Sequence, residues 1–77
     1  MSKEKEVNFE TYYAVLDNGK AVVIRFREDM GEDIWESLRS AWVKGGIFNE
    51  DGWSDLTMEL DGENFHYLNC SRVIGIR

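Results

Sequence analysis

Cysteine and histidine each occur once in this chain of 77 residues, and proline does not occur at all. A single cysteine, Cys70, cannot close a disulfide within the chain, so packing alone must hold the fold, and a reducing, cytoplasmic setting is expected. The Asn69-Cys70-Ser71 sequon carries no weight without a secretory route. One histidine and one cysteine cannot supply a zinc set. No apolar run approaches the roughly 18 residues of a membrane span. The opening MSKEKEVNFE has no apolar core of a signal peptide, so neither membrane nor secretion is expected. No repeat, low-complexity tract or proline-rich linker divides the chain. It reads as one domain over residues 8–77 behind a flexible tail, residues 1–7.

Catalytic and cofactor patterns are equally sparse. His66 has Thr57 and Asn64 as strand neighbours and only Glu59 on a diagonal, which gives a base no orienting partner. Cys70, between Leu68 and Val73, reads as a small buried hydrophobe. The oxygen-rich stretch NEDGWSD (49–55) fails the EF-hand spacing, which would put Ile47 and Met58 at the first and last ligand positions. No glycine-rich phosphate loop follows a strand. The expectation is a protein without enzymatic activity, metal or cofactor.

What is present is charge of one sign, unevenly placed. The chain carries −6. Residues 28–63 hold eleven of the fifteen acids and two of the nine bases, Arg39 and Lys44, a local charge of −9 against +3 elsewhere. Nucleic-acid binders gain affinity by neutralising phosphates, so direct nucleic-acid binding is not expected. An acidic belt keeps a small protein soluble, and it also attracts a basic surface on a protein partner.

Aromatics make up 13% of the chain, enough to build a small core at on the order of 150–250 Å² buried per ring. In FETYYAVLDNGKAVVIRFRE, Asn18-Gly19 reads as a type I′ hairpin turn. Its register sets Val15 against Val22, Tyr13 against Ile24 and Glu10 against Arg27. One face then carries Phe9, Tyr13, Val15, Val22, Ile24 and Phe26. The other carries Glu10, Tyr12, Ala14, Leu16, Ala21, Val23, Arg25 and Arg27, apolar near the turn and charged away from it. On that second face Tyr12, Arg25 and Arg27 read as a cation–π contact beside a Glu10–Arg27 pair.

The stretch DIWESLRSAWVKGG reads as a helix. Asp29 and Glu32 resemble a capping box, and Gly45-Gly46 supplies the stop. Met30, Ile34, Leu38 and Ala41 share a stripe, with Trp35 and Trp42 about 50–70° to one side. Residues 47–53 read as a loop. Asp61-Gly62 is a second type I′ signal, placing Leu56, Met58 and Leu60 with Phe65 and Tyr67 on one face. NCSR reads as a turn and residues 73–77 as a last strand. The predicted fold is α+β: a two-layer β-β-α-β-β unit, with a four- to five-stranded antiparallel sheet and one helix on one face. The predicted core is Tyr13, Ile24, Phe26, Leu38, Leu56, Met58 and Phe65.

One helix cannot cover both faces of such a sheet. The residues proposed to meet a partner are Tyr12, Leu16 and Val23 on the uncovered face, Trp35 and Arg39 on the helix flank, and the acids Asp33, Glu36, Asp51 and Asp55. Trp42 is assigned to a satellite core with Phe48 or Trp53. In size, charge and lack of catalytic residues, though in no motif, the chain is similar to many phage-encoded inhibitors, including anti-CRISPR proteins. The function this implies is an inhibitor or regulator that occludes a surface on a partner protein, and the rival expectation is a self-associating homodimer. Size and charge do not fix function.

Overall fold

The computed structural model describes residues 8–77, so the tail expected over residues 1–7 lies outside the described residues. Strands β1 (Phe9–Leu16) and β2 (Ala21–Arg27) lead through a 3-10 turn, Glu28–Met30, into helix α1 (Gly31–Lys44). Then follow β3 (Ile47–Asn49), β4 (Thr57–Leu60), β5 (Glu63–Phe65), β6 (Tyr67–Asn69), a second 3-10 turn at Cys70–Arg72, and β7 (Val73–Ile76). One antiparallel sheet has the order β5-β4-β2-β1-β7, and β3 pairs with β6 in a small second sheet. The predicted α+β architecture, with one helix on one face of an antiparallel sheet, is what forms.

The two Asx-Gly turns are built differently. At Asp61-Gly62 both residues have positive φ, 54° and 83°, as a type I′ turn requires. Leu60 therefore opposes Glu63, and Met58 opposes Phe65, as predicted. At Asn18-Gly19 only the glycine is left-handed, with φ 87°. The Gly19 N–H donates to the Leu16 carbonyl at 3.0 Å and the Leu16 N–H to the Lys20 carbonyl at 2.7 Å. That is a three-residue loop, Asp17–Gly19, in which a type I turn is closed by a left-handed residue and a bulge.

The extra loop residue slips the register by one. Ala14 opposes Val22 and Tyr13 opposes Val23, where Val15–Val22 and Tyr13–Ile24 were expected. A slip of one residue exchanges the two faces of a strand. Tyr12, Ala14 and Leu16 thus join Val22, Ile24 and Phe26 under the helix, and Phe9, Tyr13 and Val15 turn outward. Two members of the predicted core lie outside it: Tyr13 is 43% exposed and Phe65 37% exposed. Phe65 is on the expected face, but the sheet edge there projects past its cover. Ile24, Phe26, Leu38, Leu56 and Met58 are buried as predicted.

The helix buries Ile34 and Leu38, the centre of its stripe. Its stop is a Schellman turn: Gly45 is left-handed, its N–H reaches the Trp42 carbonyl, and the Gly46 N–H reaches that of Ala41. The expected capping box does not form. The 3-10 turn runs straight into the helix, Met30 takes the cap position without a side-chain bond, and Asp29 instead accepts from Arg27 Nη2 at 3.0 Å.

Residues 63–69 do not form one strand. Beyond Phe65 the chain leaves β4 and pairs with Ile47–Asn49, a strand where the sequence predicts loop. The Glu50 N–H to His66 carbonyl bond, 3.1 Å, marks the crossover. Phe48 and Leu68 are thereby drawn into the main core, so the predicted satellite does not exist. Trp42 and Trp53 pack half-buried against that single core, and the Trp42 Nε1–H donates to the Val73 carbonyl at 3.0 Å.

Candidate functional site

Register fixes which side chains share the uncovered face. Along β1 these are Phe9, Thr11, Tyr13 and Val15; across from them on β2 lie Arg27, Arg25, Val23 and Ala21. Val23 in turn opposes Glu59, which opposes Asn64. The centre is apolar and half-buried (Val15, Ala21, Val23), with Tyr13 standing out of it. The rim is polar: Thr11, Arg25, Glu59 and Asn64. Aromatic and arginine side chains around a dry centre are the composition of binding hot spots.

Of the three strand residues proposed for this surface, Val23 alone lies on it. Leu16 is buried in the core, and Tyr12 is half-buried on the helix side, its ring centroid 4.7 Å from Phe26 and 5.5 Å from Trp35. Both errors follow from the one-residue slip. The same slip removes the Glu10–Arg27 pair, since Glu10 opposes Phe26. The guanidinium of Arg25 lies 4.5 Å over Phe9 rather than over Tyr12. Arg27 turns to Asp29 and to Asp55, at 3.0 and 3.8 Å. Phe9, Tyr13 and Val15 were missed because both faces of β1 alternate plausibly. Only the turn decides between them, and Asp17 before Asn18-Gly19 was the available hint of a longer loop.

The helix residues fall on two surfaces. Asp33, Glu36 and Arg39 are exposed on the outside of α1. Trp35 is half-buried on the flank and lines, with Tyr12, Ile76 and Arg77, an open cleft of about 270 Å³. In the β3–β4 connection Asp51 is exposed in a turn, and Asp55 has a positive φ of 61° and faces Arg27. The acids proposed as one belt are therefore not one cluster. Asp55 is partly neutralised by Arg27, while Asp33 and Glu36 form no ion pair among the described residues.

Among the described residues no three His, Cys, Asp or Glu side chains converge as a metal site. His66 bonds Glu50, not Glu59: Nδ1 lies 2.7 Å from Glu50 Oε2. The imidazole of this pair is 86% exposed, although the Glu50 side chain is only 25% exposed. Cys70 is buried, and burial pushes its thiol up from the ordinary value against a smaller opposing pull from a hydrogen bond with the Phe48 backbone. A protonated, enclosed thiol is a poor nucleophile. No helix among the described residues is long and apolar enough to cross a membrane. Comparison of the chain with protein-family models, with curated proteins and with solved structures found no match in any of the three.

Proposed function

We propose that this chain is a non-enzymatic protein-binding module that inhibits or regulates its partner by covering part of the partner's surface. The observation that carries the reading is the uncovered sheet face, where Tyr13, Val15 and Val23 form an apolar centre inside a polar rim. A face that only met water would alternate toward polar residues there, as β4 and β5 do with Thr57, Glu59 and Asn64. Burying such a centre is worth roughly 25 cal/mol per Å² before the costs of association.

The charge supports a partner with a basic surface. Asp33 and Glu36 on the outside of α1 add to a net charge of −6, and such a field speeds encounter with a positive protein. Contact and steering are thus assigned to different residues.

The test is affinity capture from the native cell, with the wild-type chain beside Tyr13→Glu and Val23→Glu variants confirmed as folded by circular dichroism. The expected outcome is one or a few proteins held by the wild type and lost from both variants, before and after nuclease treatment. Proteins retained equally by the variants would overturn the role of this face, and loss on nuclease treatment would assign the contact to nucleic acid.

A further inference from the structure

The side of helix α1 turned away from the sheet is exposed at Glu36, Ser37, Arg39, Ser40, Val43 and Lys44. Val43 is 75% exposed, more than any other large apolar side chain among the described residues. Valine is a poorer helix former than alanine, leucine or lysine, so nothing within the helix asks for it at a solvent position. An open groove of about 530 Å³ runs beside it, lined by Glu36, Arg39, Ser40, Val43 and Lys44.

The exposed charges of this helix are sorted by end. Glu32, Asp33 and Glu36 stand in its first half, Arg39 and Lys44 in its second. That order suits the helix dipole, and it also makes the face complementary to itself turned end for end. Glu36 and Lys44 lie four residues to either side of Ser40, so the three form one ridge. Neither Glu36 nor Lys44 forms an ion pair among the described residues.

We infer that α1 packs antiparallel on α1 of a second copy of this chain, with Ser40 at the crossing. The two-fold axis sets Glu36 of each copy against Lys44 of the other, where a parallel pairing would stack like charges at both ends. The small side chain of Ser40 lets the two backbones approach. Val43 of each copy then enters the groove between Glu36, Arg39 and Ser40 of the other. A helix of 14 residues is about 21 Å long, so the contact falls in the small, weak class under roughly 1,200 Å². The helix and the uncovered sheet face lie on opposite sides of the sheet. Both contact faces therefore stay outward in the dimer, and neither proposal rests on the other.

Sedimentation equilibrium over a micromolar to millimolar series tests the inference, in roughly 0.1 M salt to screen the net charge. The expected result for the wild type is a rise toward the mass of two 9.0-kDa chains. Glu36→Lys and Lys44→Glu, each confirmed as folded by circular dichroism, should each weaken self-association by about tenfold. Mixed in equal amounts they should associate as tightly as the wild type, because each supplies the charge that the other lacks. Net charge alone would move the two variants in opposite directions, since one removes negative charge and the other adds it. Tyr13→Glu, on the uncovered sheet face, should leave the dimer intact. A wild type monomeric throughout, a single variant that self-associates as well as the wild type, a mixture no tighter than its components, or a dimer lost with Tyr13→Glu would each overturn it.

Discussion

The two hairpins carry nearly the same turn signal, Asn-Gly in one and Asp-Gly in the other, yet only the second obeys it. At Asp61-Gly62 two left-handed residues make the loop, the register follows, and the faces follow from the register. At Asn18-Gly19 the first residue stays right-handed, Asp17 enters the loop, and every side chain of β1 changes face. One residue of loop length decides whether Tyr13 is core or contact surface. A local signal therefore fixes a strand's faces only if it also fixes the loop length.

The largest test of the comparison concerns what covers the faces. Leu38 is fully buried on the helix and sits over the side that both hairpins share. Leu38→Ala should cost roughly 2–5 kcal/mol, comparable with the whole stability of so small a core, so thermal unfolding should lose its cooperative transition or shift far down. Within each hairpin the effects should then divide. Leu16→Ala and Met58→Ala remove buried groups and should cost about 2–5 kcal/mol each in urea unfolding. Tyr13→Ala and Phe65→Ala remove half-exposed rings and should cost about 1 kcal/mol. If Tyr13→Ala proved costlier than Leu16→Ala, the type I′ register would be the true one.

Gly19→Ala and Gly62→Ala come next, at about 1–2 kcal/mol each, because both glycines are left-handed. The smallest effect is the most discriminating. Asp61→Gly relieves a left-handed residue and should be neutral or stabilising by a few tenths of a kcal/mol in salt that screens the 2.7 Å Lys20–Asp61 pair. Asn18→Gly relieves nothing, frees the unfolded chain and removes the 2.9 Å bond from the Lys20 N–H, so it should cost about 0.5–1.5 kcal/mol. Effects of the same sign at both positions would contradict the difference between the turns.

Much of the fold was legible in the residues. The helix stripe at Ile34 and Leu38 and the second hairpin's register each rest on one strong local pattern. What was not legible rests on competition between patterns. Both faces of β1 are apolar enough to be core. Ile47–Asn49 is too short to declare itself a strand before Tyr67–Asn69 arrives to pair with it. The site suffered most, because Tyr12 and Leu16 were placed by the slipped register, whereas Val23, on the strand that kept its faces, was placed rightly. Exposed Asp33, Glu36 and Arg39 were found by helix periodicity alone.

Which residues of β1 face away from the helix decides the contact surface, and cross-strand proton distances read that directly. In the observed register Tyr13–Val23 and Val15–Ala21 are non-hydrogen-bonded pairs, whose Cα atoms approach to about 4.5 Å. A nuclear Overhauser spectrum should show strong Hα–Hα contacts for these two pairs. Strong Hα–Hα contacts for Leu16–Ala21 and Ala14–Val23 instead would return Tyr13 and Val15 to the core and remove the proposed contact surface.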